Sequence, residues 1–224
     1  MRIGVLGGTG PAGRGIAARL AAAGHDVVVG SRDRERSRSV VDDLREQWGD
    51  RVAGLEPGTN HDAADADLVV LATVWDAAVP TARAHAEQLA GKTVIAMGNG
   101  LEKHGRHFHP VVPEQGSLSA AVQAAAPDAH VVAALQHVPA AALGDLAHPL
   151  ASDVLVAGDD PEARTAVLEL IDGIDGLRAI DAGPLANALG IEAFAAALLT
   201  ANLNHKGEGT LRLEGLGPRR TPAP

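Results

Sequence analysis

The chain of 224 residues has no cysteine and no tyrosine, and only two phenylalanines and two tryptophans. Without cysteine there is no disulfide and no thiol chemistry. Without tyrosine, the phenol that serves many small reductases as a proton donor is missing. With so few aromatics the core has to be built from Ala, Val, Leu and Ile, which suits a parallel sheet covered by closely packed helices. Positive charge is scarce as well: 19 Lys and Arg face 28 Asp and Glu, a net charge of −9. That balance argues against non-specific nucleic-acid binding. No apolar run is long enough to cross a bilayer free of charges and breakers, and the chain opens on a core strand rather than a signal segment. The expectation is a cytoplasmic protein, not bound to membrane, of one large domain or one domain with a small appendage.

Glycine is abundant, with 26 residues, and its placement organises the chain. An apolar run, Met1-Arg-Ile-Gly-Val-Leu, leads into Gly7-Gly-Thr-Gly-Pro-Ala-Gly13. An alanine-rich stretch to Gly24 follows, then a second apolar run ending Val29-Gly30-Ser31-Arg32. This is one βαβ unit, with Gly8-x-Gly10-x-x-Gly13 at the first strand-to-helix turn. Gly8 permits the tight turn, Gly10 lets a pyrophosphate come close, and Gly13 lets the helix pack on the strand. The amides at the helix start and the positive end of its dipole then face the phosphates. Pro11 suits the first helical position. The three glycines alone would match by chance about 0.3 times in such a chain, so the flanking strands carry the assignment. The alternative is a glycine-rich turn that holds no nucleotide.

A protein that selects NAD places Asp or Glu at the second strand's tip, about twenty residues on. Here the tip reads Gly30-Ser31-Arg32, with Arg36 one helical turn further. A hydroxyl and a guanidinium attract a 2′-phosphate that an acid would repel. The cofactor is therefore read as NADP. Asp33 and Glu35 interleave with the arginines and leave open a merely solvated helix start.

The remaining pattern extends the α/β alternation. Val40, Val41, Leu44 and Trp48 predict a helix over 34–48. Residues 50–66 read as a polar connection with room for a short strand. Strands are expected at 67–72, 93–97, 130–135, 154–157 and 177–180. Helices are expected from an Asp76 cap to about 90, over 117–126, from an Asp160 cap to Gly173, and over 185–204. Asp159 and Asp160 would otherwise read as a carboxylate pair. Residues 98–115 are expected to be a long loop, and 141–152 an irregular link. The last helix is apolar on all sides, hence buried on all sides, at a subunit interface or along a second ligand's cleft. The tail Gly217–Pro224 is expected to fray. The fold class is α/β: a Rossmann-type, doubly wound, mostly parallel sheet. Residues 1–140 form the NADP-binding domain, and 141–224 a smaller α/β part ending in the apolar helix.

Gly7-Gly-Thr-Gly10 with Gly13, Gly24-His-Asp-Val-Val-Val-Gly-Ser-Arg32 and Gly176-Leu-Arg-Ala-Ile-Asp-Ala-Gly-Pro-Leu185 resemble the coenzyme F420-dependent NADP oxidoreductases, over most of the chain. The resemblance implies hydride transfer between NADP(H) and the 8-hydroxy-5-deazaflavin coenzyme F420. It implies that Thr9, Ser31, Arg32 and Arg36 hold the 2′-phosphate and that Thr9, Gly10, Pro11 and Ala12 meet the pyrophosphate. Thr73, Val74, Trp75, Met97, Gly98 and Asn99 would flank the two rings, with Gln136, His137, Val138, Pro139 and Ala140. Gly207 and Gly209 would approach the deazaflavin. One family member has a His at the position of Gln136, a Thr at that of His137, and a proline-containing turn after the position of Met97.

His137 is the candidate catalytic group, meeting charge that arrives on the deazaflavin; a structural histidine is the alternative. The apolar surface of the last helix leads to the expectation of a homodimer through it. Lys103, His104, Arg106, His107 and His109 form a basic stretch that would steer an acidic cofactor tail, hold a metal through the histidines, or simply be solvated; no metal is expected. The rival functions are an NADPH-dependent reductase of a small imine or carbonyl, and a non-catalytic NADP-binding sensor.

Overall fold

The computed structural model describes residues 1–217; the rest of the tail expected to fray lies outside them. An eight-stranded sheet forms the centre. Its strands are β1 (Arg2–Leu6), β2 (Asp26–Ser31), β3 (Leu55–Thr59), β4 (Leu68–Leu71), β5 (Thr93–Ala96), β8 (His130–Ala133), β9 (Ser152–Gly158) and β10 (Leu177–Asp181). The order across the sheet is β10-β9-β8-β5-β4-β1-β2-β3. From β8 to β3 all neighbours are parallel. β9 runs antiparallel to β8, and β10 parallel to β9. Residues after 140 thus continue the same sheet. The central strands are buried on both faces, as parallel strands under two helical layers must be.

On one face lie α1 (Pro11–Ala22), α2 (Arg34–Trp48), α7 (Ala140–Gly144) and α8 (Pro161–Asp172), packed on Ile3, Val5, Val27 and Val29. On the other lie α3 (Asn60–Ala64), α4 (Trp75–Ala84), α5 (Ala86–Leu89), α6 (Leu118–Ala125) and the start of α9 (Ala188–His205), against Val28, Val69, Leu71 and Val94. The alternation of Val27, Val28 and Val29 between the two cores follows from the two-residue period of a strand.

Several expectations are corrected. Residues 50–66 hold β3 and then α3, started by a capping box between Thr59 and Asp62. Asp76 is no cap: α4 begins at Trp75, without a side-chain cap, and the helix breaks at His85. The expected loop 98–115 contains a hairpin, β6 (Leu101–His104) paired with β7 (His107–Pro110). The expected link 141–152 begins with α7. Asp160 does cap α8, accepting from the Ala163 amide at 2.7 Å, while Asp159 accepts from Leu185 N at 2.9 Å.

The apolar helix α9 is buried on one face only in the single chain. Ala188, Ile191, Glu192, Ala195 and Ala196 are covered, whereas Leu189 and Leu203 are 42% and 40% exposed. By length and composition Leu185–His205 is apolar enough to cross a membrane. At its middle, however, Glu192 accepts from the amides of Leu118 and Ser119 (2.7 and 2.9 Å) and from the Ser119 hydroxyl (2.7 Å). Four turns from the start of the helix, Thr200 accepts from Phe108 N of the hairpin at 2.9 Å. Beyond α9 the chain doubles back as a strap along β9. Leu211 O accepts from Asp153 N at 2.8 Å. The buried Asp153 carboxylate accepts from Arg178 Nε at 2.9 Å, Arg212 Nη1 at 3.2 Å and Leu213 N at 2.6 Å. Those donors, Arg178 first, hold its carboxyl below the usual carboxylate range.

α1 and α7 meet at a contact that only small residues allow. A Cβ on Gly15 would come within 2.8 Å of Leu143 Cβ. From the same helix the buried Arg19 donates to four backbone carbonyls: Leu143 O at 3.1 Å, Ala142 O and His148 O at 2.9 Å, and Asp145 O. Burial pulls its pKa down, and Asp145 opposes that. Replacing Arg19 with Leu leaves those carbonyls without their donor, so Arg19→Leu is expected to cost about 2–4 kcal/mol in urea unfolding. A loss under about 0.5 kcal/mol would show that the clamp is idle.

Candidate functional site

A cleft of about 1070 Å³ opens at the carboxyl ends of β1, β4, β5 and β8, where parallel α/β sheets bind ligands. One end is the glycine turn. Gly7 is left-handed, at φ 75°, and its amide donates to Asn60 Oδ1 at 3.1 Å. Gly8 N donates to Gly30 O at 2.8 Å and to Val5 O at 3.2 Å, tying the turn to β2. The three motif glycines have different reasons. A Cβ on Gly13 would meet Gly7 O at 2.4 Å, and one on Gly8 would meet Val29 Cγ1 at 2.9 Å. A Cβ on Gly10 would meet only Gly7 O, at an ordinary 3.6 Å. The protein's own packing thus needs Gly8 and Gly13, which sit behind the lining. Gly10 borders the cleft and keeps a cradle open that a side chain would fill. No side chain caps α1, so its first-turn amides remain for a ligand.

Thr9, Gly10, Pro11, Ala12, Ser31, Arg32 and Arg36 all line this end. The interleaved acids are engaged elsewhere. Asp33 caps α2 through the Glu35 amide at 3.0 Å, and Glu35 pairs with Arg38 at 3.4 Å. Arg34 pairs with Asp62 at 2.6 Å. Among the described residues Arg32 and Arg36 have no ion pair, so two exposed guanidinium groups stand free beside the Ser31 hydroxyl.

At the other end, Thr73, Val74 and Trp75 follow β4, and Met97, Gly98 and Asn99 follow β5. Val74 is 70% exposed and Trp75 38%, large apolar surfaces at the lip. Gln136, His137, Val138, Pro139 and Ala140 complete the wall after β8. Ahead of them the buried Leu135 is held at φ 75°, a left-handed conformation costing about 1–2 kcal/mol in a residue with a side chain. Among the described residues five buried side-chain polar atoms lack a partner. Four belong to this end of the cleft: Thr73 Oγ1, Asn99 Oδ1, Gln136 Oε1 and His137 Nδ1. His137 meets Asp153 O through Nε2 at 2.8 Å and lies edge-on to the Phe194 ring, centroids 6.0 Å apart. Burial pushes its pKa down, only partly offset by that bond. The ring is therefore neutral, and meeting arriving negative charge would need a second proton that burial disfavours.

Ala195, Leu198, Leu199 and Asn202 of α9 form the far wall. None was expected individually, because an all-apolar helix does not announce which face it turns inward. Asn60 was missed as well; an asparagine after a short strand carries no signal of its own. Gly207 and Gly209 do not line the cleft. Their amides donate to Asn202, at its backbone O (3.1 Å) and its Oδ1 (2.7 Å). On the hairpin the His104 and His109 rings are 4.7 Å apart. Among the described residues no group of three or more His, Asp or Glu side chains is placed to hold a metal.

The family model described as "NADP oxidoreductase coenzyme F420-dependent" matches residues 2–100. The F420-dependent NADP reductase of Methanocaldococcus jannaschii is 36% identical over 218 residues, covering 94% of this chain and 96% of that one. The chain belongs to the F420-dependent NADP reductase family. The reductase of the same name from Methanothermobacter thermautotrophicus is 35% identical, covering 92% and 91%. A crystal structure from Arthrobacter sp. FB24, assigned as an F420-dependent NADP-reductase, superposes with a TM-score of 0.80 at 29% identity, covering 94% and 97%. A pyrroline-5-carboxylate reductase from Coxiella burnetii, 15% identical with a TM-score of 0.57 over 88% of this chain and 63% of that one, shares the fold. The family assignment and the Rossmann-type fold expected from the sequence are thus both established.

The contrast between the glycines is directly measurable. Gly13→Ala forces backbone apart and is expected to cost about 2–3 kcal/mol. Gly10→Ala should stay within about 1 kcal/mol of the native stability yet weaken NADPH binding at least tenfold, by thermal unfolding and titration. Equal stability losses in both would remove the distinction.

Proposed function

We propose that the chain transfers hydride between NADP(H) and coenzyme F420, as an NADPH:F420 oxidoreductase. The observation that carries the NADP half is the unpaired Arg32 and Arg36 at a strand tip without an acid, in a chain of this family. The two coenzymes supply the redox chemistry, a hydride passing between pyridine and deazaflavin rings. The protein binds, orients and excludes water. Thr9, Ser31, Arg32 and Arg36 hold the 2′-phosphate, and Thr9 to Ala12 with the first-turn amides of α1 hold the pyrophosphate. Thr73–Trp75, Met97–Asn99 and Gln136–Ala140 position the rings. Leu198 and Leu199 face them from α9, so residues 141–224 complete the second-cofactor cleft. The expected outcome is loss of NADPH absorbance when F420 is added. Consumption of NADPH by small imines or ketones but not by F420 would overturn the assignment. Arg32→Gln should raise the Kd for NADPH about tenfold or more while leaving NADH unchanged.

The reading includes a cytoplasmic homodimer. Leu189, with Ala197 and Ala201 on the same side of α9, presents an exposed apolar face, and a second copy would bury it. Sedimentation should give a dimer at micromolar concentration and a monomer for Ala197→Arg. A native monomer would sink this part alone.

A further inference from the structure

Three side chains at the ring end of the cleft are wired alike. Asn99 donates from Nδ2 to Gln136 O at 2.6 Å. Gln136 donates from Nε2 to Ala96 O at 2.7 Å. His137 reaches Asp153 O through Nε2 at 2.8 Å. Each partner is a backbone carbonyl, which can only accept. That settles the orientation of both amides, since turning either over would set two oxygens face to face within hydrogen-bond distance. The same argument puts the imidazole proton on Nε2 and leaves Nδ1 with a lone pair. One N–H of each amide and the imidazole N–H therefore point at backbone carbonyls. Each also carries an acceptor, Asn99 Oδ1, Gln136 Oε1 and His137 Nδ1, that is buried and, among the described residues, without a partner.

A buried acceptor left unpaired costs about 1–3 kcal/mol. Folded proteins hold few such atoms, yet here three belong to residues that line one cleft. Gln136 and His137 are 5% and 4% exposed, and both follow the left-handed Leu135, so strain and unmet hydrogen bonding coincide. Such a cluster persists when a ligand satisfies it.

We propose that Asn99, Gln136 and His137 form an acceptor-lined subsite that recognises the N–H donors of a ring bound in the cleft. The donors are those of the carboxamide on a pyridine nucleotide or of the imide on the pyrimidine edge of a deazaflavin. The proposal rests on the function proposed above and assigns these residues a task within it. A ring that turns carbonyl oxygens or an anionic edge toward these three acceptors meets lone pairs and is disfavoured. Among the described residues the Thr73 hydroxyl is also unpartnered, and it can donate or accept. Asn99, Gln136 and His137 thereby act by orienting the ring, and no proton leaves them.

The test compares dissociation constants, read by fluorescence titration of the full chain, for ligand pairs that differ in one donor. The first pair is NADPH and its reduced 3-acetylpyridine analogue, in which a methyl replaces the amide nitrogen. The second is a 5-deazaflavin and its N3-methyl derivative. The native chain should favour the donor-bearing member of one pair by about three- to tenfold, the value of one hydrogen bond. Gln136→Met keeps the length of the side chain and removes the acceptor; Asn99→Ser shortens it. In both, that preference should fall to near unity. Loss in the first pair assigns the wall to the carboxamide, and loss in the second to the imide. A native chain with no preference in either pair, or a preference unchanged in both variants, overturns the subsite. Binding of 2′,5′-ADP serves as the control. It should be the same in all three proteins, and its failure to bind the native chain would count against the NADP reading instead.

Discussion

The closeness of α1 to the turn before it is the constraint on which the rest depends. The missing Cβ of Gly13 would stand 2.4 Å from Gly7 O, and one amide, Gly8 N, is shared between β1 and β2. These contacts set where the helix begins, and so where its free amides point. The same helix reaches the opposite end of the cleft. Gly15 admits Leu143, and Arg19 collects the carbonyls of the segment around α7. The wall from Val138 to Ala140 leads directly into that segment. One helix thus carries the phosphate end at its start and braces the ring end from its middle, so the spacing between the ends is fixed by rigid elements.

The glycine-turn end of the cleft was legible in the sequence because its signals are local. A glycine spacing, a proline at the first helical position and an arginine at a strand tip each state a physical requirement within a few residues. The parallel sheet was legible because Val, Ile and Leu runs recur between helical patterns. The hairpin at 101–110 was not, because its strands are polar, exposed and supported by α9 rather than by alternation of their own. The break at His85 and the start of α4 depended on tertiary packing, and Asp76 imitated a cap without being one. The ring end was the least legible. Whether a histidine or an amide presents a donor or an acceptor depends on carbonyls contributed by other strands, and nothing near Gln136 or His137 in sequence names Ala96 or Asp153.

Charge in this chain works by subtraction. A protein with a net charge of −9 leaves two arginines free by occupying the acids around them. Asp33 turns to a helix cap, Glu35 to Arg38 and Asp62 to Thr59 and Arg34. In the proposed reading, selectivity for a 2′-phosphate arises from what the local acids are already doing. Glu192 is occupied in a comparable way. Held by two amides at the start of α6, it draws the apolar α9 against the sheet and lets Leu198 and Leu199 reach the cleft.

Asp153 joins distant parts of the chain at one residue. Its carbonyl receives His137, its amide binds Leu211, and its carboxylate binds Arg178, Arg212 and Leu213. The order of synthesis follows from this. The glycine turn, β2 and the arginines emerge from the ribosome early. The imidazole's anchor is clamped only after residues 211–213 have been translated. The wall that holds His137 is therefore the last part of the cleft to be tied down, long after the glycine turn has been made.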